Sequence, residues 1–252
     1  MGTFNTLHLF AVSLIRAARG RKVREHNQAQ PPRPEQALEL YEFEGCPYCR
    51  KVREALSELD ISYIARTCAR GDTTKRARAT ELSGKLQFPV LIDPNTGDVL
   101  LESSAILDHV HRHYGQGLPS VDRLTSLPST LTGFIATLVR PRGIRVLPGL
   151  EARTQPPELP VLYGFEASPF CRKVRETLHE LNLDYRMENV AIGSARRSDF
   201  EALAGRVMVP YLVDPNQDVA MFESDDIVAY LLQTYGPTGA LTASPAAGVL
   251  PR

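Results

Sequence analysis

Hydrophobic and polar positions follow two periods along this chain, and the order of those periods occurs twice. A short apolar run at Leu38–Phe43 ends near a Cys-Pro pair, and another at Val161–Phe165 ends near a Ser-Pro pair. Each is followed by apolar positions at three- and four-residue spacing: Val52, Leu56 and Leu59 in the first place, Val174, Leu178 and Leu181 in the second. That spacing predicts a helix with one buried face. Second strands are predicted near Ile61–Arg66 and Leu183–Val190, each leading into a polar, arginine-bearing helix. Pro89–Ile92 and Pro210–Val213 predict third strands, and the Asp-Pro-Asn turns after them predict hairpins into a fourth. Final helices over Ser103–Tyr114 and Ser224–Tyr235 stop at Gly115 and Gly236. The predicted order is βαβαββα, twice over.

Residue identities say the same thing. From Cys49–Tyr63 against Cys171–Tyr185, ten of fifteen positions are identical, including the whole run Cys-Arg-Lys-Val-Arg-Glu. Leu40-Tyr41-Glu42-Phe43-Glu44 is answered by Leu162-Tyr163-Gly164-Phe165-Glu166. Two copies of one domain explain this better than one large domain. The expected division is an N-terminal helix and linker over 1–36, a first domain over 37–117 and a linker with a helix over 118–158. A second domain over 159–236 and a disordered tail over 237–252 complete it.

The chain has 252 residues with Lys+Arg and Asp+Glu equal at 29 each. That balance argues against a nucleic-acid partner, which would call for a strongly basic face. No apolar run approaches the eighteen or so residues of a membrane span. A cytoplasmic location is therefore expected, although Leu7–Ile15 followed by the basic Arg16–Arg24 has the look of a targeting peptide. Phe10, Leu14 and Arg16 are mirrored in mid-chain by Phe134, Leu138 and Arg140, which favours a helix before each copy. Met1-Gly2 with Thr6 also fits a myristoylation pattern loosely.

Four cysteines in a chain this long do not make a disulfide scaffold; their positions point to chemistry. Cys46-Pro47-Tyr48-Cys49 falls where a strand gives way to a helix. Cys46 is expected at the helix N-cap and Cys49 one turn inside, with Pro47 at the first helical position, where it loses no hydrogen bond. Free helix N–H groups and the positive dipole end favour thiolate over thiol. A free cysteine of pKa about 8.5 is only about 3% ionised at pH 7. The dipole adds at most about 2 kcal/mol, roughly 1.5 pKa units, so more is needed. The Tyr48 and Cys49 N–H groups and the cations Arg50 and Lys51 are the candidates in sequence. With them Cys46 can attack a disulfide and Cys49 can resolve the mixed disulfide. A half zinc site or an inert reduced pair are the alternatives, and no second Cys or His pair stands at zinc-ligand spacing, so no metal site is expected.

Cys46-Pro47-Tyr48-Cys49 is similar to the glutaredoxin active site. The βαβαββα order, Phe88-Pro89-Val90 and the Glu102-Ser103 pair resemble the N-terminal, glutathione-binding domain of glutathione S-transferases. The doubled arrangement resembles tandem glutathione-transferase N-domain proteins over about residues 5–236. The resemblance implies an α/β protein of two tandem thioredoxin-like domains with glutathione as co-substrate. It implies a cis-proline at Pro89, with Tyr48 and Phe88 beside it and Val90 offering backbone groups to the cysteine of glutathione. Glu102 and Ser103 are implied to hold the γ-glutamyl end, Ser103 being equally readable as a helix cap. Val209, Pro210, Glu223 and Ser224 hold the same places in the second copy.

That copy reads Ser168-Pro169-Phe170-Cys171, and a hydroxyl cannot enter a dithiol cycle. Ser168 is either a second candidate site, steadying a glutathione thiolate, or a helix cap, the reading preferred here; Cys171 is expected to be the more buried. Cys68, between Arg66 and Arg70, is expected to be incidental, and Lys75-Arg76-Ala77-Arg78 a solvated helix face. His109, His111 and His113 are spaced around a helix and are not expected to bind metal.

Three functions remain open. The first is a glutathione-dependent thiol–disulfide oxidoreductase using Cys46 and Cys49 on disulfide substrates. The second is a transferase conjugating glutathione to electrophiles, weakened because the stretch between the copies is too short for a transferase helical domain. The third is a non-enzymatic module binding glutathione or an iron–sulfur cluster, for which two cysteines fall short of four ligands. Docking of the two domains on one another is expected.

Overall fold

A computed structural model of the chain describes residues 20–24, 33–115 and 142–237. The first copy runs β1 (Leu38–Glu42), α1 (Pro47–Glu58), β2 (Tyr63–Thr67), α2 (Lys75–Ser83), β3 (Val90–Asp93), β4 (Asp98–Leu101) and α3 (Ser103–Tyr114). The second runs β5 (Val161–Gly164), α4 (Pro169–Glu180), β6 (Tyr185–Asn189), α5 (Arg197–Ala204), β7 (Tyr211–Asp214), β8 (Val219–Met221) and α6 (Ser224–Tyr235). The βαβαββα order expected of each copy is present. The proposed helices before each copy and the tail beyond residue 237 lie outside the described residues.

Within a copy, the third and first strands run antiparallel and the first and second parallel, with Tyr41 opposite Val90 and Leu40 opposite Ala65. The two copies then join edge to edge. β2 pairs antiparallel with β6, Ile64 opposite Arg186, Tyr63 opposite Met187 and Ala65 opposite Tyr185. Those pairs are reciprocal under the repeat offset, so a pseudo-twofold axis passes between Ile64 and Arg186. One eight-stranded sheet results, in the order β4-β3-β1-β2-β6-β5-β7-β8. Pairing β2 with β6 covers one edge of each copy and leaves β4 and β8 as the outer strands of the sheet.

Alternation along the strands sets the layers. Leu38, Leu40 and Leu91 face α1 and α3, and this core continues without a break into Leu162, Val174, Leu178 and Leu212 of the second copy. Tyr41 and Val90 face the other way, onto Ala79 of α2, as Tyr211 faces Phe200 of α5. Short straps then cross between copies. The Ile192 carbonyl accepts the Val23 N–H and the Ile192 N–H donates to the Arg21 carbonyl, before the chain returns to Glu58 through the Arg24 N–H. In mirror fashion Ile144 and Val146 bond Arg70 before Leu147 returns to Glu180. Gly143 lets the second strap pass, with φ +68 and a missing Cβ that would lie 2.8 Å from the Glu44 Cβ.

Polar groups fill the seam at the axis. Arg53 donates from Nε to Glu166 at 2.9 Å and also pairs with Glu42 and Glu44. Arg175 donates from Nε to Glu44 at 3.0 Å and pairs with Glu166 at 3.0 Å. All five are buried. Lys75 contradicts the expectation of a solvated face: its Nζ crosses the seam to Asp184 at 2.9 Å and to the Asn182 carbonyl. Arg76 lies over the Phe88 ring, and of the three cations in that run only Arg78 is exposed, paired with Glu81.

Candidate functional site

The site forms where β1 turns into α1. Cys46 caps the helix in extended conformation, and its Sγ accepts the Cys49 N–H at 3.2 Å. Pro47 occupies the first helical turn, as its missing N–H allows. Continuing the β1–β3 register past Tyr41 and Val90 sets Pro89 opposite Glu42 and Phe88 opposite Phe43; the two phenyl rings meet edge-on at 6.1 Å. The Phe88–Pro89 peptide is cis, as is Val209–Pro210. Strand register therefore brings the cis-proline to the end of the sheet that carries Cys46.

The two thiols are made unequal. Cys46 is held below the ordinary thiol range first by a hydrogen bond from Cys49, then by the Cys49 and Tyr48 backbone N–H groups and the charge of Arg53, against the opposing effect of burial. Cys49 goes the other way: burial pushes it well up, with Cys46 and Glu42 adding to the rise. The cations expected from sequence are corrected here. Arg50 turns into the seam, its Nε 3.8 Å from Glu166, and Lys51 is buried with its Nζ 5.9 Å from the Tyr48 ring. The helpful cation is Arg53, two turns along α1, which local spacing gave no reason to choose.

Around the dithiol, Tyr48 is exposed, Pro89 and Val90 are buried and Phe88 is half-buried. Glu102 stands exposed at the N-cap of α3 with φ +69, and Glu223 of the second copy repeats this at φ +65. A non-glycine residue held at positive φ costs of order 1–3 kcal/mol and clusters at ligand sites. Ser103 is the first residue of α3 and not its cap, and Glu102 itself makes no capping bond. Its carboxylate instead accepts from Gln87, a neighbour the sequence reading missed. No repeat could have flagged Gln87, because Met208 stands in its place in the second copy.

In that copy Ser168 caps α4, its Oγ accepting the Cys171 N–H at 3.2 Å, the geometry of Cys46 with oxygen in place of sulfur. Burial raises the Cys171 thiol. Val209 is half-buried, Glu223 exposed and Ser224 buried. Cys68 follows β2 and is fully buried under α2; burial outweighs the nearby Lys75 and Arg76 and pushes its thiol well up. Among the described residues no cluster of three or more His, Cys, Asp or Glu has metal-holding geometry, and Cys46 and Cys49 supply two of the four thiolates that a cluster takes. Also among the described residues, no helix is long and apolar enough to cross a membrane.

Comparison with known proteins gives this arrangement its place. The sequence matches the family described as "Glutathione S-transferase, N-terminal domain" twice, over residues 40–117 and 162–239. The chain belongs to that family. It carries two tandem glutathione S-transferase N-terminal domains of thioredoxin-like fold. Among curated relatives, the glutathione S-transferase GstB of Escherichia coli K12 is 36% identical over 87 residues, 34% of this chain and 42% of GstB. The glutathione S-transferase-like protein tpcF of Aspergillus fumigatus is 32% identical over 76 residues, 30% of this chain and 33% of tpcF. The chain thus spans well under half the length of these relatives. A solved structure titled "Leishmania TDR1 - a unique trimeric glutathione transferase" aligns with 79% of this chain and 68% of its own at 14% identity, with a TM-score of 0.30.

Proposed function

We propose that this tandem-domain protein is a glutathione-dependent thiol–disulfide oxidoreductase whose chemistry resides in the first domain. The observation that carries the reading is the split between two thiols at one helix end, Cys46 lowered and Cys49 raised. A pair of that kind suits sequential roles. The Cys46 thiolate attacks the glutathione sulfur of a substrate–glutathione disulfide; the Cys46–glutathione bond forms, the substrate–glutathione bond breaks, and the substrate leaves as thiolate. Cys49 or a second glutathione then breaks that bond.

Cys46 is only 4% exposed, so the substrate has to arrive in a bound pose. Glutathione supplies it: Tyr48, Phe88, cis-Pro89 and the Val90 backbone would seat its cysteine. Glu102 and Ser103 would take its γ-glutamyl end at the start of α3, where free N–H groups receive a carboxylate. The second domain keeps Pro210, Glu223 and Ser224 but has Ser168 for the thiol, so it would bind without exchanging.

Reduction of a small glutathionyl mixed disulfide by the protein and glutathione is the test. Cys46→Ser is expected to abolish turnover, and Cys49→Ser to leave a glutathione-only route. Turnover surviving Cys46→Ser would overturn the proposal. Conjugation of a model electrophile with no disulfide reduction would put the family's transferase reading in its place.

A further inference from the structure

Gly45 stands immediately before Cys46, and space rather than backbone conformation requires a glycine there. It is not among the glycines held at positive φ. A Cβ built on it would overlap Cγ1 of Ile144 and lie 3.0 Å from its Cδ1. The place of the missing side chain is thus filled by a residue of the segment that joins the two copies. Ile144 is braced from both sides. Its carbonyl accepts the Arg70 N–H at 2.7 Å, and Val146 donates to the Arg70 carbonyl at 2.9 Å. The same segment is tied to the end of α4, the Gly143 N–H donating to Glu180 Oε1 at 3.1 Å and the Leu147 N–H to the Glu180 carbonyl at 2.7 Å.

The other copy is built differently at this place. Ala167 stands where Gly45 does and carries its own Cβ. The matching strap residue is Arg21, whose carbonyl is bonded to Ile192 as that of Ile144 is bonded to Arg70, and Arg21 is exposed. The seam repeats its charged residues on both sides, yet this pair does not repeat. The copy with the nucleophile has exchanged a methyl group on its own loop for a larger, branched side chain from outside the domain. Cys46 is recessed, while Ile144, packed on the neighbouring residue, is half-buried and still reaches the surface.

We infer that Ile144 is a specificity-determining residue of the Cys46 site, a wall contributed from the inter-domain segment that selects slender glutathionyl disulfides against those carried on the surface of a folded protein. The inference rests on the oxidoreductase reading above and names the substrate class for it. Attack on a disulfide runs along its S–S axis, so the substrate thiolate departs away from Cys46, towards the rim of the recess. A low-molecular-weight or short-peptide substrate can follow its sulfur past that rim. A folded protein has to bring its own surface down to Gly45, where Ile144 already stands. Discrimination of this kind works by a clash against the wrong partner and needs no contact with the right one.

Full-length wild type and Ile144→Ala are compared on two substrates, cysteine–glutathione disulfide and a folded carrier protein glutathionylated at one surface cysteine. The ratio of kcat/KM, carrier over small disulfide, is expected to rise about 10-fold in the variant, the order that methylene groups in a pocket wall command, and to rise through the KM for the carrier. A purely structural role would lower both substrates together and leave the ratio alone, which would overturn the inference. Alkylation of Cys46 by iodoacetamide, against a maleimide tethered to the same carrier, needs no glutathione chemistry and is expected to shift in the same direction. An unchanged alkylation ratio in a protein that does reduce the small disulfide would overturn the inference alone. Wild type that reduces neither disulfide would overturn the oxidoreductase reading and the substrate class with it, even if the alkylation ratio rises. Should Ile144→Ala not fold, Ile144→Val is expected to raise both ratios by a smaller amount, and a valine variant matching wild type in both would overturn the role of Ile144.

Discussion

Asp93 shows how much one side chain can organise in this fold. It closes β3, and one oxygen accepts the Asn95 backbone N–H at 2.9 Å, holding the hairpin turn. The other accepts Tyr114 Oη at 2.7 Å and lies 2.8 Å from His109 Nε2, tying the turn to the end of α3. The second copy repeats the device with Asp214, Tyr230 and Tyr235. Burial would raise Asp93, but hydrogen bonds from His109, Tyr114 and Asn95 outweigh it and hold the carboxyl below its usual range. A lowered folded-state pKa means that its contribution is present above the unfolded value of about 3.9 and is lost as pH falls through the lower folded one. Urea midpoints between pH 2 and 5 are therefore expected to fall less steeply in Asp93→Asn than in wild type. Parallel curves would refute this. The Asp-Pro-Asn turn was legible in sequence, but the role of His109 was not, since nothing in its spacing points to a carboxylate sixteen residues earlier.

Helices α1 and α4 start alike and differ by one atom type at the cap. Both caps accept the N–H of the third helical residue at 3.2 Å, through sulfur at Cys46 and oxygen at Ser168. The start of each helix, its Pro and its buried stripe followed directly from periodicity and capping rules. Ser168→Ala is expected to lower stability by about 1 kcal/mol, the usual cost of a lost cap. Denaturant midpoints measure it, and no change would mean that the cap bond contributes nothing. Reading α2 as a solvated basic helix failed for a physical reason. Its first residue, Lys75, is carried by the turn before it to Asp184 of the other copy, a contact no helical wheel can display.

The seam between the copies decides how the molecule behaves as a body. Arg53 and Arg175 each reach two or more carboxylates, and Glu44 and Glu166 are shared between them, so the charges close into a ring across the axis. Removing one member of a buried ion pair strands the others, typically at about 3–5 kcal/mol. Arg175→Ala is expected to cost that much in chemical denaturation. Because one sheet and one core span both copies, wild type is expected to unfold in a single transition. Two well-separated transitions would contradict a shared core.

From sequence alone followed the duplication, the order of elements, the turns, and the dithiol at a helix start, because each depends on spacing within a few residues. Tertiary structure alone decided what the repeated Arg and Glu positions do. They match between copies because a twofold seam demands the same residues from both sides, whatever the chemistry of each site. It also showed which cation serves Cys46: Arg53 stands in the same helix, but Glu166, 113 residues along the chain, takes its Nε. Periodicity carries no information about which distant groups share one low-dielectric space.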